Sequence, residues 1–121
     1  MSQAPAPSPI TIERRDSAIV VRLAVKILDD KELKELGRLL DEASQGAPAS
    51  TVVIDLSKVQ LVPSLTLGAL VQLSNKCRSR QQTLRLAGAS PMVRQVFVIT
   101  RLDRVIELVE SVDVALGGPR A

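Results

Sequence analysis

The chain has 121 residues, 45% of them apolar, with 16 Lys or Arg against 13 Asp or Glu and a net charge of +3. That composition suits one globular domain with a real core. It contains no His, Trp or Tyr, a single Phe and a single Cys. These absences exclude a histidine metal site or general base, an internal disulfide, and an aromatic platform for stacking single-stranded nucleic acid.

Met1–Pro9 carries proline at positions 5, 7 and 9 and reads as a disordered tail. It lacks the charged and apolar regions of a signal peptide. No apolar run approaches the roughly 18 residues of a membrane span. A soluble cytoplasmic protein is expected, with no membrane and no nucleic-acid partner. Ile10–Arg15 and Ala18–Ala24, joined by Asp16-Ser17, read as an antiparallel hairpin, with alternation at Val21, Leu23 and Val25. Asp29 opens a helix, with Glu32 three residues on completing a capping box. Leu33, Leu36, Leu40 and Ala43 form its apolar stripe, and Gly46 and Pro48 end it.

Val52, Val53 and Ile54 then form an unbroken β-branched run, the mark of a strand buried on both faces. Asp55 closes it and is expected to bond the following backbone as an Asx-type turn. A linker from Leu56 to Val62 has apolar residues at 56, 59, 61 and 62. Pro63 holds Val62 extended. Ser64 reads as the N-cap of a helix running from about Leu65 to Ser79. At 100° per residue, Thr66, Leu70, Leu73 and Cys77 share one line, flanked by Leu67, Ala69 and Ser74, and make the core face. The opposite line begins at Ser64 and runs through Gly68, Gln72, Asn75 and Ser79. A glycine exposed in a helix costs about 1 kcal/mol against alanine. Its presence suggests that something approaches the backbone there.

Thr83–Ala87 alternates as a strand with Leu84 and Leu86 inward, and Gly88 breaks it. Ser90-Pro91 is a cap followed by proline at the first helical position. Met92, Val93, Val96 and Phe97 are expected to form the buried face of that helix. Leu102-Asp103 makes a turn, Val105–Leu108 a short edge strand, and Val112–Leu116 a last helical turn before a frayed tail at 117–121. Strands alternating with helices call for an α/β fold with a mixed, mostly parallel sheet of four to five strands, right-handed crossovers and one domain over residues 10–116.

Little here supports catalysis. Asp55 has no second carboxylate or histidine beside it in the pattern, and Ser64 has no candidate base. No GxxxxGK[ST] occurs, and Gly88-Ala89-Ser90 lacks the lysine of a phosphate loop. Cys77, on the core line, behaves as a small hydrophobe. No catalytic residue, metal or cofactor is expected. Charge is uneven. From Leu56 to Leu102 there are seven basic residues and no acid, and from Ile27 to Asp55 there are seven acids against three bases. Two solvated faces of opposite sign explain this, and a basic half could also steer an acidic partner.

The apolar strand, Asp-Leu-Ser, the apolar link, a serine and then a Leu-Gly-Ala-Leu helix together resemble the STAS domain family, of the anti-sigma factor antagonist type. That family's signature is an apolar residue followed by Asp-Ser-Ser-Gly-Leu-Gly, and Val62-Pro63-Ser64-Leu65-Thr66-Leu67-Gly68 stands in its place. Pro63 replaces the Asp, and Leu65-Thr66 replaces the Ser-Gly. The resemblance continues through the segment Leu84–Leu108, with the family's strand, Gly, Ser-Pro helix and Leu-Asp turn. It implies a partner-switching regulator that binds an anti-sigma factor or serine kinase, with a weak homodimer allowed. It also implies that Ser64 falls on the phosphorylated serine, with Thr66, on the core line, a poorer acceptor. Ser64, Gly68, Gln72 and Asn75 are then the candidate partner surface. The altered motif leaves open a second reading, a non-switching STAS subunit of a lipid-transport ABC system.

Overall fold

A computed structural model of the chain describes residues 9–46 and 49–117. Its elements are β1 (Ile10–Arg15), β2 (Ala18–Leu23), α1 (Asp30–Gly46), β3 (Thr51–Asp55), α2 (Ser64–Ser79), β4 (Thr83–Ala87), α3 (Pro91–Ile99), a 3-10 turn (Leu102–Arg104), β5 (Glu107–Val109) and α4 (Val112–Ala115). The expected tails, apart from Pro9 and Gly117, and the helix-ending Pro48 lie outside the described residues. The strands form one sheet in the order β1-β2-β3-β4-β5. Only β1 and β2 pair antiparallel, with Ile10 opposite Leu23 and Arg15 opposite Ala18. The other three pairings are parallel.

This order has a consequence for layering. Each crossover from β2 onward steps one strand in the same direction. Right-handed connections then place every crossover helix on the same face of the sheet. That face holds the main core. Ile19, Val21, Val52, Ile54, Leu84 and Leu86 point into it from the strands. Leu33, Leu36 and Leu40 of α1, Leu70, Leu73 and Cys77 of α2, and Val93 and Phe97 of α3 meet them. The other face is covered only in part. Val20, Val53 and Ala87 pack there beneath Ala115 of α4. This explains why Val52, Val53 and Ile54 are all fully buried.

Local signals set the ends of the elements. Asp29 Oδ1 accepts from Glu32 N–H at 2.9 Å, so α1 starts where its cap predicts. Ser90 Oγ accepts from Val93 N–H, with Pro91 in the first turn of α3. Some boundaries shift. β2 stops at Leu23 rather than Ala24, β5 occupies 107–109 rather than 105–108, and α4 ends at Ala115 rather than Leu116. The chain after Leu102 first makes a 3-10 turn, closed by the Val105 N–H to Leu102 C=O bond, and pairing with β4 begins only at Glu107. Met92 departs from its expected place in the core and is 73% exposed. It sits in the first turn of α3, while Val93 and Phe97 carry the buried line.

Cys77 is buried on α2, and burial pushes its thiol up to about 11. The unfolded chain ionises this thiol at lower pH than the folded one does. The folded state therefore holds the extra proton, and stability falls as pH rises from about 9 towards 11. Urea denaturation across that range should show this decline in the wild type and a shallower one in Cys77→Ala. An equal slope in both would show that the thiol is not shielded.

Candidate functional site

The candidate site lies at the carboxyl end of β3, where the chain leaves the sheet and returns as α2. Asp55 governs this exit. Its Oδ1 accepts from Ser57 N–H at 2.9 Å, the expected Asx-type turn. Its Oδ2 accepts from Arg22 Nη1 at 3.1 Å. Leu56 N–H donates to Ala87 C=O, which carries the pairing one residue past the strand. Gly88 closes against the same turn, with φ +72°. A Cβ at this position would lie 3.3 Å from Ser57 Cβ, so glycine serves both the left-handed backbone and the close approach.

Arg22 continues the polar chain across the open face. Glu13 of β1 pairs with both Arg22 and Arg15. The hydrogen bond from Arg15, with the charges of Arg15 and Arg22, holds the Glu13 carboxyl below the ordinary carboxylate range. At β4 and β5, Arg85 pairs with Glu107 at 2.8 Å and also donates to Ala115 C=O.

The linker after β3 does not run free. Gln60 and Leu61 N–H both donate to Lys26 C=O, and Leu28 N–H donates to Leu61 C=O. Ile27 and Leu61 thus form a parallel bridge between the two linkers that leave β2 and β3. Leu28, Val59 and Val62 turn inward from this bridge, whereas Ile27 is 49% and Leu61 51% exposed. Pro63 then delivers the chain into α2.

Ser64 is not the N-cap. Pro63 takes that position with φ −61° and ψ 152°, and no side-chain hydrogen bond caps the helix. The proline is itself extended, and its C=O already accepts from Thr66 N–H, so helical geometry begins at Ser64. Ser64 becomes the first helical residue, exposed, with its side chain outside the capping role. The phasing of α2 follows the sequence. Thr66, Leu67, Leu70, Leu73, Ser74 and Cys77 are buried. Ser64, Gly68, Gln72, Asn75 and Ser79 are exposed. Nothing lies within 4 Å of a Cβ built on Gly68, so no packing contact inside the chain requires the glycine. Thr66 is only 1% exposed.

Three exposed apolar residues carry further surface that the sequence pattern alone did not bring together. Leu65 is 90% exposed. Its phase places it roughly 60° from the Gly68 strip and far from the core line, a signal present in the same helical wheel. Ile27 and Leu61 carried no such signal, because their exposure follows from a bridge between distant segments. Among the described residues, no group of three or more His, Cys, Asp or Glu could hold a metal ion. No helix among them is long and apolar enough to cross a membrane.

The STAS domain profile matches residues 9–115. The chain belongs to the STAS domain family. Rv2638 of Mycobacterium tuberculosis, assigned as an anti-anti-sigma factor, is 30% identical over 81 residues, covering 66% of this chain and 55% of its own length. The match thus spans little more than half of that relative. The crystal structure of an anti-sigma factor antagonist from Mycobacterium paratuberculosis superposes with a TM-score of 0.74 at 24% identity, covering 96% of this chain and 97% of that one. The Bacillus cell fate determinant SpoIIAA in its phosphorylated form gives a TM-score of 0.66 at 16% identity, over 89% of this chain and 96% of that one. At these identities the two structures establish the shared fold, with its mixed, mostly parallel sheet.

Asp55 joins the two halves of the site, and its two bonds can be separated. Asp55→Asn keeps an acceptor for Ser57 N–H but turns an amide donor toward the half-exposed Arg22, losing that charged bond, so it should cost about 1 kcal/mol. Asp55→Ala loses both bonds and should cost about 1–3 kcal/mol. Chemical denaturation gives both values, and amide exchange at Ser57 should accelerate in Asp55→Ala alone.

Proposed function

We propose that this STAS domain is an anti-sigma factor antagonist, a cytoplasmic, non-enzymatic module that binds an anti-sigma factor or serine kinase in a partner switch. The observation that carries this reading is the strip Ser64, Gly68, Gln72 and Asn75. It is exposed along a helix whose opposite line is buried throughout, and it has an open glycine at its centre. The relative assigned as an anti-anti-sigma factor supports it.

Ser64 is the phosphorylation candidate in this reading. A phosphate would add a charge of about −1.5 to −2 at the positive end of the helix dipole, so the fold tolerates it. A partner lying flat against Gly68 would instead meet a hydrated anion. Binding would fail without unfolding. Pro63 and Leu65-Thr66 in place of the family's Asp and Ser-Gly favour a second reading, in which the strip binds constitutively as part of a lipid-transport ABC assembly.

The test uses the partner captured from the native cell and identified by mass spectrometry. Gly68→Arg adds a good helix former in open space and should keep the melting temperature. Ser64→Asp places an anion at the helix start and should keep it as well. Both should bind the partner at least about tenfold more weakly, a loss of roughly 1.4 kcal/mol. Normal binding by Gly68→Arg moves the interface elsewhere. Normal binding by Ser64→Asp alone removes the switch and leaves the constitutive reading.

A further inference from the structure

A cleft of about 940 Å³ opens between the linkers that leave β2 and β3 and the first turn of α3. It lies beyond the carboxyl ends of β2 and β3. Its walls are largely apolar, with Val25 and Val59 at the linkers and Pro91 and Met92 on α3. The exposure of Met92 has its explanation here. An unbranched, polarizable side chain at a cleft mouth can repack around different apolar groups.

Charge narrows the occupant. Lys26 and Lys58 both line the cleft, and no Asp or Glu does. Ion pairs neutralise some basic side chains elsewhere, with Lys76 and Arg80 both on Asp41 and Arg85 on Glu107. Neither Lys26 nor Lys58 has an ion-pair partner among the described residues. Two unneutralised ammonium groups beside apolar walls call for carboxylates next to an aliphatic or aromatic anchor. A small inorganic anion would leave the apolar wall unfilled, and a basic segment would be repelled.

We infer that this cleft takes an acidic segment of the protein partner, anchored by an apolar side chain against Met92 and paired by its carboxylates with Lys26 and Lys58. This rests on the reading of the domain as a partner-binding module, and it assigns the chemistry of the bound segment. The linker that supplies Lys58 to the cleft also delivers Ser64 to the strip. One partner can therefore engage both, the strip as a flat contact and the cleft as a charged anchor.

The test is an NMR titration of the isotope-labelled full chain with a short amphipathic peptide of leucine and glutamate, and with its counterpart carrying lysine for every glutamate. The acidic peptide should move the amide signals of residues 25, 26, 58–60 and 92. It should bind at least about tenfold more tightly than the basic one. The double variant Lys26→Glu/Lys58→Glu should lose that advantage, and Gly68→Arg should keep it. Equal binding of the two peptides, signal changes confined to other surfaces, or no change at all would each overturn the inference. The captured partner separates it from the broader reading. If Gly68→Arg weakens that partner and the double variant leaves it unchanged, the strip stands and the cleft assignment falls. If the acidic peptide lands in the cleft while Gly68→Arg binds the partner normally, the cleft stands and the strip does not.

Discussion

The handedness of three crossovers shapes this molecule. A sheet that grows one strand at a time in a single direction, through right-handed connections, gathers its helices on one face. The large aliphatic side chains of alternate strand positions then share a single core with α1, α2 and α3. The other face is left to α4 and to a row of paired charges, Glu13, Arg15, Arg22, Asp55, Arg85 and Glu107. The same geometry places every strand-to-helix linker at one end of the sheet. The site is where it is because the topology gathers irregular chain there, close to a rigid core.

Within that end of the molecule, hydrogen bonds and buried side chains of the linkers act together, Leu28, Leu56, Val59 and Val62 all packing into the core. Asp55 fixes the first residues beyond β3. The bridge between Ile27 and Leu61 fixes the next ones, and Pro63 sets the entry into α2. Ser64 and Gly68 gain a defined orientation although neither makes a packing contact of its own that would require it.

Much of this was legible in the sequence, because it is local. The β-branched run of β3, the Asp29 and Ser90 caps and the helical phasing of α2 each depend on residues within a few positions of one another. The structure places them accordingly. The Asx turn at Asp55 belongs to the same class. The departures arise where two local rules compete or where distant segments meet. Pro63 and Ser64 both suit a helix start, and the extended backbone of the proline takes the cap. Met92 has the polarity of a core residue, but its environment is decided by what lies above the first turn of α3. The pairing of residues 26–28 with 60–61 joins segments more than thirty positions apart, which no window of the sequence displays.

That pairing has a thermodynamic meaning for association. Two untethered linkers would each have to surrender backbone freedom on meeting a partner, at about 1–2 kcal/mol for every residue newly ordered. Here Lys26, Gln60 and Leu61 are already held by main-chain bonds in the free domain. The exposed Ile27 and Leu61 side chains are therefore presented on a preorganised frame, and the ordering cost is met during folding rather than at the moment of contact. A modest patch on a small protein can in this way bind more firmly than its area alone would suggest.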